Sequence, residues 1–429
     1  MSQTSTFYDT VSSATAPNGA NLVRMKDQIS SVDQLFQRDQ VEAWNRKTTV
    51  TQRVAINPVQ LGGVMVANLT VSPGVSPDIL EEMYLEFDLV NGNAGGGETI
   101  NIAAYRAAIV NQIQYVYNDS FQPTVNPRDM IFRSQLCYDT EQMLARSAVE
   151  GIDFISRLPL STTLNPNAGI RVSLPIGSAC GLAKTCIFSA LTNGTHVFQI
   201  TLNSPAALFT PAGGANINLV TIQNPRLNLV GYVLEADLRR NVYDRIVATP
   251  LVSRWCRVFT GITGNPSNLS SGVPNSIQVG SVNRTIIGLL TYYEDSTTTP
   301  SANRVGVLIP NSTESIDLQV NGSTLQPGLA QFTTVAEIVS SIVRPTTSGI
   351  IGSLFSTSAL TLQYPIYPFS DKLSLCLIQG LKFASQFIPQ SFTLQTIGSV
   401  TTANALAFCI YFTINNVVQS GSSLSLIQL

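Results

Sequence analysis

Few residues in this chain carry the chemistry to act on a substrate. The one dense group of carboxylates is Glu81, Glu82, Glu86 and Asp88. Glycoside cleavage needs two carboxylates facing one cleft, one as acid and one as base or nucleophile. Glu86 and Asp88 share a face of the strand read over 84–90, whereas Glu81 and Glu82 fall in the preceding turn or helical start. The expected reading is a solvated strand edge. The run from Gly92 to Gly97 has no Lys-Ser/Thr after it and opens no convincing helix, so it is not a phosphate loop. His196 is the one histidine, which leaves little room for a zinc centre or a histidine-based triad. Its strand context points to a satisfied core or interface group. Cys137, Cys180, Cys186, Cys256, Cys376 and Cys409 are scattered with no C-x-x-C pair, as buried thiols in a reducing cytoplasm are. The chain therefore reads as a non-enzyme with no catalytic, cofactor-binding or metal-binding residue.

Composition narrows the class. Of 429 residues, 44% are hydrophobic and only 12% charged, against a usual charged share of about 25%. Mean hydropathy is +0.19, yet no apolar run reaches the ~18–20 residues of a membrane helix. So little charge implies that much of the surface is covered by other subunits. Net charge is −2, from 24 Lys+Arg against 26 Asp+Glu. No basic field exists to neutralise a phosphate backbone, so no specific nucleic-acid partner is expected. The opening Met1-Ser-Gln-Thr-Ser-Thr-Phe-Tyr8 lacks the pattern of a secretory signal.

The elements that must hold these residues are arranged about the stretch 225–256. Its first third reads as a strand, with Leu227, Leu229, Gly231, Val233 and Glu235 on one face and Asn228, Val230, Tyr232 and Leu234 on the other. The rest, with Arg239, Arg240, Asp244, Arg245 and Pro250, reads as a charged, turn-prone connector. Before it, strand patterns run over 48–56, 62–71, 84–90, 170–174, 185–190, 196–202 and 217–222, and one helix over 127–151 carries Ile131, Phe132, Leu136, Met143 and Leu144 as its apolar stripe. Residues 105–117 suit helix or strand. After the connector the same grammar returns. Strands are read at 276–279, 284–293, 305–309, 316–320, 360–364, 373–378, 392–397 and 406–414, and a capped helix over 334–343. Each half offers roughly eight short strands with a helix among them, as a sandwich, barrel or jelly roll does. The fold class is all-β with a few inserted helices, as two consecutive jelly rolls. The divisions are an arm and short helix at 1–47, a first roll at 48–240, and connector plus second roll at 241–429. Arg24, Lys26, Arg38, Arg46 and Lys47 make the arm basic, suited to a neighbouring subunit or anionic lipid headgroups.

Three stretches carry a family resemblance: Val54-Ala-Ile-Asn-Pro-Val-Gln-Leu-Gly-Gly-Val-Met-Val-Ala-Asn-Leu-Thr-Val71, Ile109-Val-Asn-Gln-Ile-Gln-Tyr-Val-Tyr-Asn118, and Asn228–Asp237 followed by Tyr243–Leu251. Leu289–Asp295 and Ala405–Asn415 occupy fitting positions in the second half. Together they resemble the double jelly-roll major capsid proteins of tailless icosahedral viruses with an internal membrane, the tectivirus-like branch of the adenovirus-hexon lineage. The loops 91–99, 261–275 and 295–303 are short, without the long towers of larger hexons. The resemblance implies a homotrimer of pseudo-hexagonal outline that tiles an icosahedral shell around an internal membrane and genome. Its implied partners are neighbouring capsomers, penton and minor capsid proteins and membrane lipid. Its implied location is the virion capsid, after synthesis in the host cytoplasm. The alternative class is a carbohydrate-binding or carbohydrate-cleaving β-sandwich. That class calls for aromatic platforms on binding loops, and the two tryptophans, Trp44 and Trp255, lie in the arm helix and the connector.

Overall fold

Two pairs of sheets with matching strand order make up the architecture. The computed structural model describes residues 47–137, 140–153, 159–262, 274–280, 286–295, 297–305, 315–320, 323–326, 366–368, 392–397 and 405–428. In the first half, β1 (Lys47–Ala55), β11 (Val220–Leu234), β3 (Ile79–Asn91) and β8 (Gly169–Pro175) form one sheet in that order. Facing it are β2 (Val64–Leu69), β9 (His196–Leu202), β5 (Val110–Tyr117) and β6 (Thr124–Val125). A small third sheet holds β10 (Thr210–Ala212), β4 (Thr99–Ile102) and β7 (Thr162–Leu164). The chain alternates between the two large sheets, and its last long strand, β11, returns to pair antiparallel with its first, β1. That closure is a jelly roll.

The second half repeats this order. β12 (Leu251–Ile262), β19 (Ala405–Ser420), β14 (Ile286–Asp295) and β17 (Ile366–Pro368) match β1, β11, β3 and β8, with β20 (Ser423–Gln428) hairpinned onto β19. β13 (Pro274–Gly280), β18 (Phe392–Ile397), β15 (Ser315–Val320) and β16 (Ser323–Gln326) match β2, β9, β5 and β6. The fold is two consecutive jelly rolls.

Alternation builds the first core. In β2, Met65, Ala67 and Leu69 point in and Val64, Val66 and Asn68 point out. In β3, Met83, Leu85, Phe87 and Leu89 are buried, while Tyr84, Glu86 and Asp88 lie on the outer face. Glu86 and Asp88 thus sit where β3 is paired on both sides, by β11 and β8, while Glu81 and Glu82 lie beyond the β8 register. Segment 217–235 is nearly one strand, entered from a short turn at Ile217–Leu219. Its alternation breaks at the end, where Leu234 is buried and Val233 only partly so; the register shift against β3 at Val230/Gly231 leaves Glu81 as the extra residue of β3. Segment 105–117 is a turn at Arg106–Ile109 followed by β5. Segment 185–190, read as a strand, is a loop with a short turn at Phe188–Ala190, because Thr185 and Cys186 bond back to the carbonyls of Gly181 and Leu182.

The helix read over 127–151 is two helices, α1 (Pro127–Cys137) and α2 (Thr140–Glu150). The Asn126 side chain caps α1 by accepting from the Asp129 amide at 2.9 Å. Gly151, at φ +66°, ends α2 where a Cβ would meet the Arg106 side chain at 2.7 Å. Leu144, assigned to the apolar stripe, is exposed on α2. The connector is also a helix, α3 (Ala236–Ala248). Leu238, Val242 and Ile246 recur every four residues and are buried, Asp237 lies in the first turn and Arg245 in the last. The charges that suggested a turn are the polar face of an amphipathic helix. Pro250 follows it, and Trp255 lies in β12. The expected helices at 31–44 and 334–343, the strands at 360–364 and 373–378, and Arg24, Lys26, Arg38 and Arg46 lie outside the described residues; Lys47 starts β1. Among the described residues no helix is long and apolar enough to cross a membrane.

Candidate functional site: the seam between the rolls

The densest convergence of polar and aromatic side chains is where the rolls meet. The second roll contributes the outward face of β12 and β19. Antiparallel register sets Leu251 opposite Gln419, Ser253 opposite Val417 and Trp255 opposite Asn415, so all six share one face, and all six are buried. The first roll contributes the turn between β5 and β6, the start of α1, and the loop after β8.

Trp255 is the anchor. Its indole N–H donates to the Ser178 carbonyl at 3.0 Å. Its ring lies against Gly181, where a Cβ would stand 2.7 Å from the nearest ring carbon, and Phe121 packs beside it at 6.3 Å between centroids. Gly181 also holds φ +74°, so both backbone and space require glycine. Glu82 positions the receiving loop: its carboxylate accepts from the amides of Met83 at 2.9 Å and Ser178 at 3.0 Å. Burial raises its pKa, against the pull of those two hydrogen bonds. Ser178 therefore links Glu82 to Trp255 through its N–H and C=O.

Gln419 acts as a side-chain rung. Its Oε1 accepts from the Ile187 amide at 2.7 Å and its Nε2 donates to the Ile187 carbonyl at 2.8 Å. Ser120 donates to the Leu424 carbonyl at 2.8 Å, and the Tyr117 hydroxyl donates to the Ser422 carbonyl. From α1, Arg133 donates to the Cys256 carbonyl at 2.8 Å. Arg128 grips both Glu294 oxygens at 3.0 Å, and Glu294 is only 3% exposed. α3 completes the seam: Val242 and Ile246 pack with Ile187, Leu234 and Leu251, and the Ile246 carbonyl accepts from the Gly421 amide.

Asp129 lies within this seam and His196 behind it. Asp129, buried 3.5 Å from Arg133, has its pKa pushed up to about 6 by burial, with Arg133 and Arg257 opposing. His196 lies behind the seam, its Nδ1 2.9 Å from the Tyr115 hydroxyl and its Nε2 2.9 Å from the Leu191 carbonyl. Burial lowers its pKa, so the neutral ring supports Tyr117, whose centroid is 4.6 Å away. His196 is a satisfied core group adjoining an interface.

The carboxylates of the 81–88 cluster are paired, not poised. Arg226 binds Glu86 at 3.0 Å, Arg171 binds Asp88 at 2.5 Å and Lys184 binds Glu81 at 2.7 Å. Partial burial opposes the Asp88 charge, but hydrogen bonds from Asn224 and Arg171 outweigh it and hold its pKa low. In the glycine loop, the Gly95 amide is taken by the Glu98 carboxylate at 2.7 Å, an arrangement that repels phosphate. Cys180, Cys186 and Cys256 are buried free thiols. Among the described residues no group of three or more His, Cys, Asp or Glu is placed to hold a metal.

Sequence reasoning left Ser178, Gly181, Arg128 and Gln419 unremarked, and read Glu294 as the start of a loop where the structure has it in β14. Partners 77 to 232 residues apart leave no spacing signal; a tryptophan on a strand of otherwise modest hydrophobicity is the one local hint. No family model matches the chain, and no curated protein matches it in sequence. Solved structures match it in fold. PBCV-1 VP54, fitted into a reconstruction of the virophage Sputnik, is similar with a TM-score of 0.58 at 11% identity, over 89% of this chain and 97% of that one. The Faustovirus major capsid protein gives 0.56 at 8% identity, over 86% and 90%. The Sputnik virophage structure at 3.5 Å gives 0.52 at 12% identity, over 89% and 88%. At such identities the likeness is one of fold: this chain shares the double jelly-roll fold of viral major capsid proteins.

Proposed function

We propose that this chain is a major capsid protein that assembles as a pseudo-hexagonal homotrimer and tiles an icosahedral shell around an internal membrane and genome. The observation that carries the reading is the asymmetry of the seam. It joins the β5–β6 turn and the post-β8 loop of one roll to the outward sheet of the next, a head-to-tail contact between repeated units. A head-to-tail contact repeated about an axis closes into a ring, and three chains of two rolls give a six-sided one. In this reading the arm spans 1–47, the first roll 48–240 and the second roll, with its connector, 241–429. Arg24, Lys26, Arg38, Arg46 and Lys47 contact membrane lipid or a neighbouring subunit, penton and minor capsid proteins complete the shell, and the chain performs no catalysis. It is made in the host cytoplasm and resides in the virion. The carbohydrate reading has no support in the geometry: Glu86 and Asp88 are paired with arginines, Glu81 with Lys184, Glu82 accepts from backbone amides, and Trp255 is buried.

Native mass by light scattering, with negative-stain imaging of the same peak, tests the proposal. Three 46.1 kDa subunits with a hexagonal outline are expected. A compact monomer at assembly concentrations overturns it.

A further inference from the structure

Asn91-Gly92 and Asn193-Gly194 are the Asn-Gly pairs among the described residues, and the fold treats them oppositely. Asn91 is buried at the end of β3. Its Nδ2 donates to the carbonyls of Glu98 at 3.0 Å and Leu164 at 3.1 Å, and its Oδ1 accepts from the Asn93 side chain at 2.7 Å. The Gly92 amide donates to the Leu219 carbonyl at 3.0 Å. Asn193 is exposed in the turn that leads into β9. Its Nδ2 is 3.5 Å from the Ser422 hydroxyl and its Oδ1 3.4 Å from that of Thr192, longer than the usual range of about 2.7–3.2 Å. Among the described residues the Gly194 amide has no acceptor. Glycine is required at 194, because a Cβ there would collide with the Tyr117 ring. The packing of Tyr117 thus imposes the neighbour that hinders backbone attack on an asparagine side chain least.

We infer that Asn193 is a self-modifying site, converting to aspartate and isoaspartate through a cyclic imide, and that the isoaspartate form loosens the seam between the rolls. The Gly194 nitrogen attacks the Asn193 Cγ. A bond forms between them, the bond from Cγ to Nδ2 breaks, and ammonia leaves with the proton that the Gly194 nitrogen gives up. Water then opens the ring, adding its hydroxyl to one carbonyl carbon and its remaining proton to the nitrogen. Opening at Cγ restores the ordinary backbone and leaves aspartate. Opening at the backbone carbonyl leaves Gly194 joined through Cγ, which lengthens the main chain by one carbon. The turn has little slack for that carbon. His196 Nε2 sits 2.9 Å from the Leu191 carbonyl, and the Thr195 amide donates to Asn118 Oδ1 at 3.3 Å. The added carbon shifts Gly194 against Tyr117, whose hydroxyl donates to the Ser422 carbonyl across the seam. Asn91 can follow the same route only when the end of β3 opens locally, which its hydrogen bonds oppose.

The test keeps the full folded chain in warm, mildly alkaline buffer and maps its peptides over time by mass spectrometry, with fragmentation that separates aspartate from isoaspartate. The same chain in denaturant is the reference. In the folded chain Asn193 should convert about tenfold faster than Asn91 or more, because the buried pair reacts only through local opening; in denaturant both should convert. The isoaspartate-rich fraction should unfold at a lower denaturant concentration than fresh protein. Asn193→Asp, which adds the charge without the backbone carbon, should unfold with the wild type, and Asn193→Ser should keep its midpoint through the incubation. A folded chain in which Asn193 converts no faster than Asn91 overturns the site. An isoaspartate fraction as stable as fresh protein, or an Asn193→Asp chain as unstable as the aged one, overturns the effect assigned to the longer backbone.

Discussion

The two rolls turn the same sheet outward with opposite chemistry. In the second roll, the outward face of β12 and β19 is uncharged, Leu251, Ser253, Trp255, Asn415, Val417 and Gln419, and is buried against the first roll. In the first roll, the matching sheet shows Arg226 paired with Glu86 and Arg171 with Asp88, partly open to water, beside the exposed Arg53. Topology is therefore not what decides how a sheet face is used. A face covered by its own chain is never exposed once folding ends, so it can be dry and aromatic. A face open to water must stay soluble, and a largely neutralised polar surface does that.

The largest effect expected is at the dry face. Trp255→Ala removes the anchor and leaves the Ser178 carbonyl without its donor; a loss of about 3–5 kcal/mol is expected in denaturant unfolding. A loss below about 1 kcal/mol would mean that the internal seam is as weak as an ordinary surface contact. Next comes Arg128→Ala, which strands the Glu294 carboxylate. Arg128 is 22% exposed, so about 2–3 kcal/mol is expected, below the ~3–5 kcal/mol of a fully buried pair.

Asp129 sharpens the comparison through pH. Its carboxyl is raised to about 6 in the fold from 3.8, so between those values the folded chain holds a proton that the unfolded chain releases. Its contribution grows as pH falls through 6 toward 4 and is unfavourable at neutral pH. Relative to Asp129→Asn, the wild type should gain about 2–3 kcal/mol between pH 7 and pH 4, using the free-energy value of a pKa unit. His196, with its pKa lowered, acts oppositely in both proteins, losing stability as pH falls below its unfolded value, and cancels in that difference. Equal pH profiles for the two proteins would show that the carboxylate is solvated. The smallest effect belongs to the charged face. Arg226→Gln removes an ion pair with partners 27% and 15% exposed, and within one subunit should change stability by only about 0–1 kcal/mol, less at high salt. A larger loss would mean that the lattice stabilises the roll itself rather than keeping an open face soluble.

What was legible in the sequence follows from the range of the forces involved. His196–Leu202 could be read from its alternation because each strand residue chooses between two faces, and that choice is written two residues apart. α3 was misread because its charges outweighed a four-residue apolar repeat that only an amphipathic count reveals. The ion pairing of Glu86 and Asp88 could not be read from the sequence because Arg171 meets Asp88 across 83 residues and Arg226 meets Glu86 across 140.

The sequence by itself determined that the chain is built of short alternating strands and that they come in two similar sets. Those properties reside in composition and in near-neighbour periodicity. Only the tertiary structure decided that Trp255 meets Ser178, that Gln419 pairs with Ile187, and that one roll's outward sheet is dry while the other's is charged. Hydrogen bonds and packing between residues 77 to 232 positions apart depend on how whole sheets stack, and no local spacing encodes that.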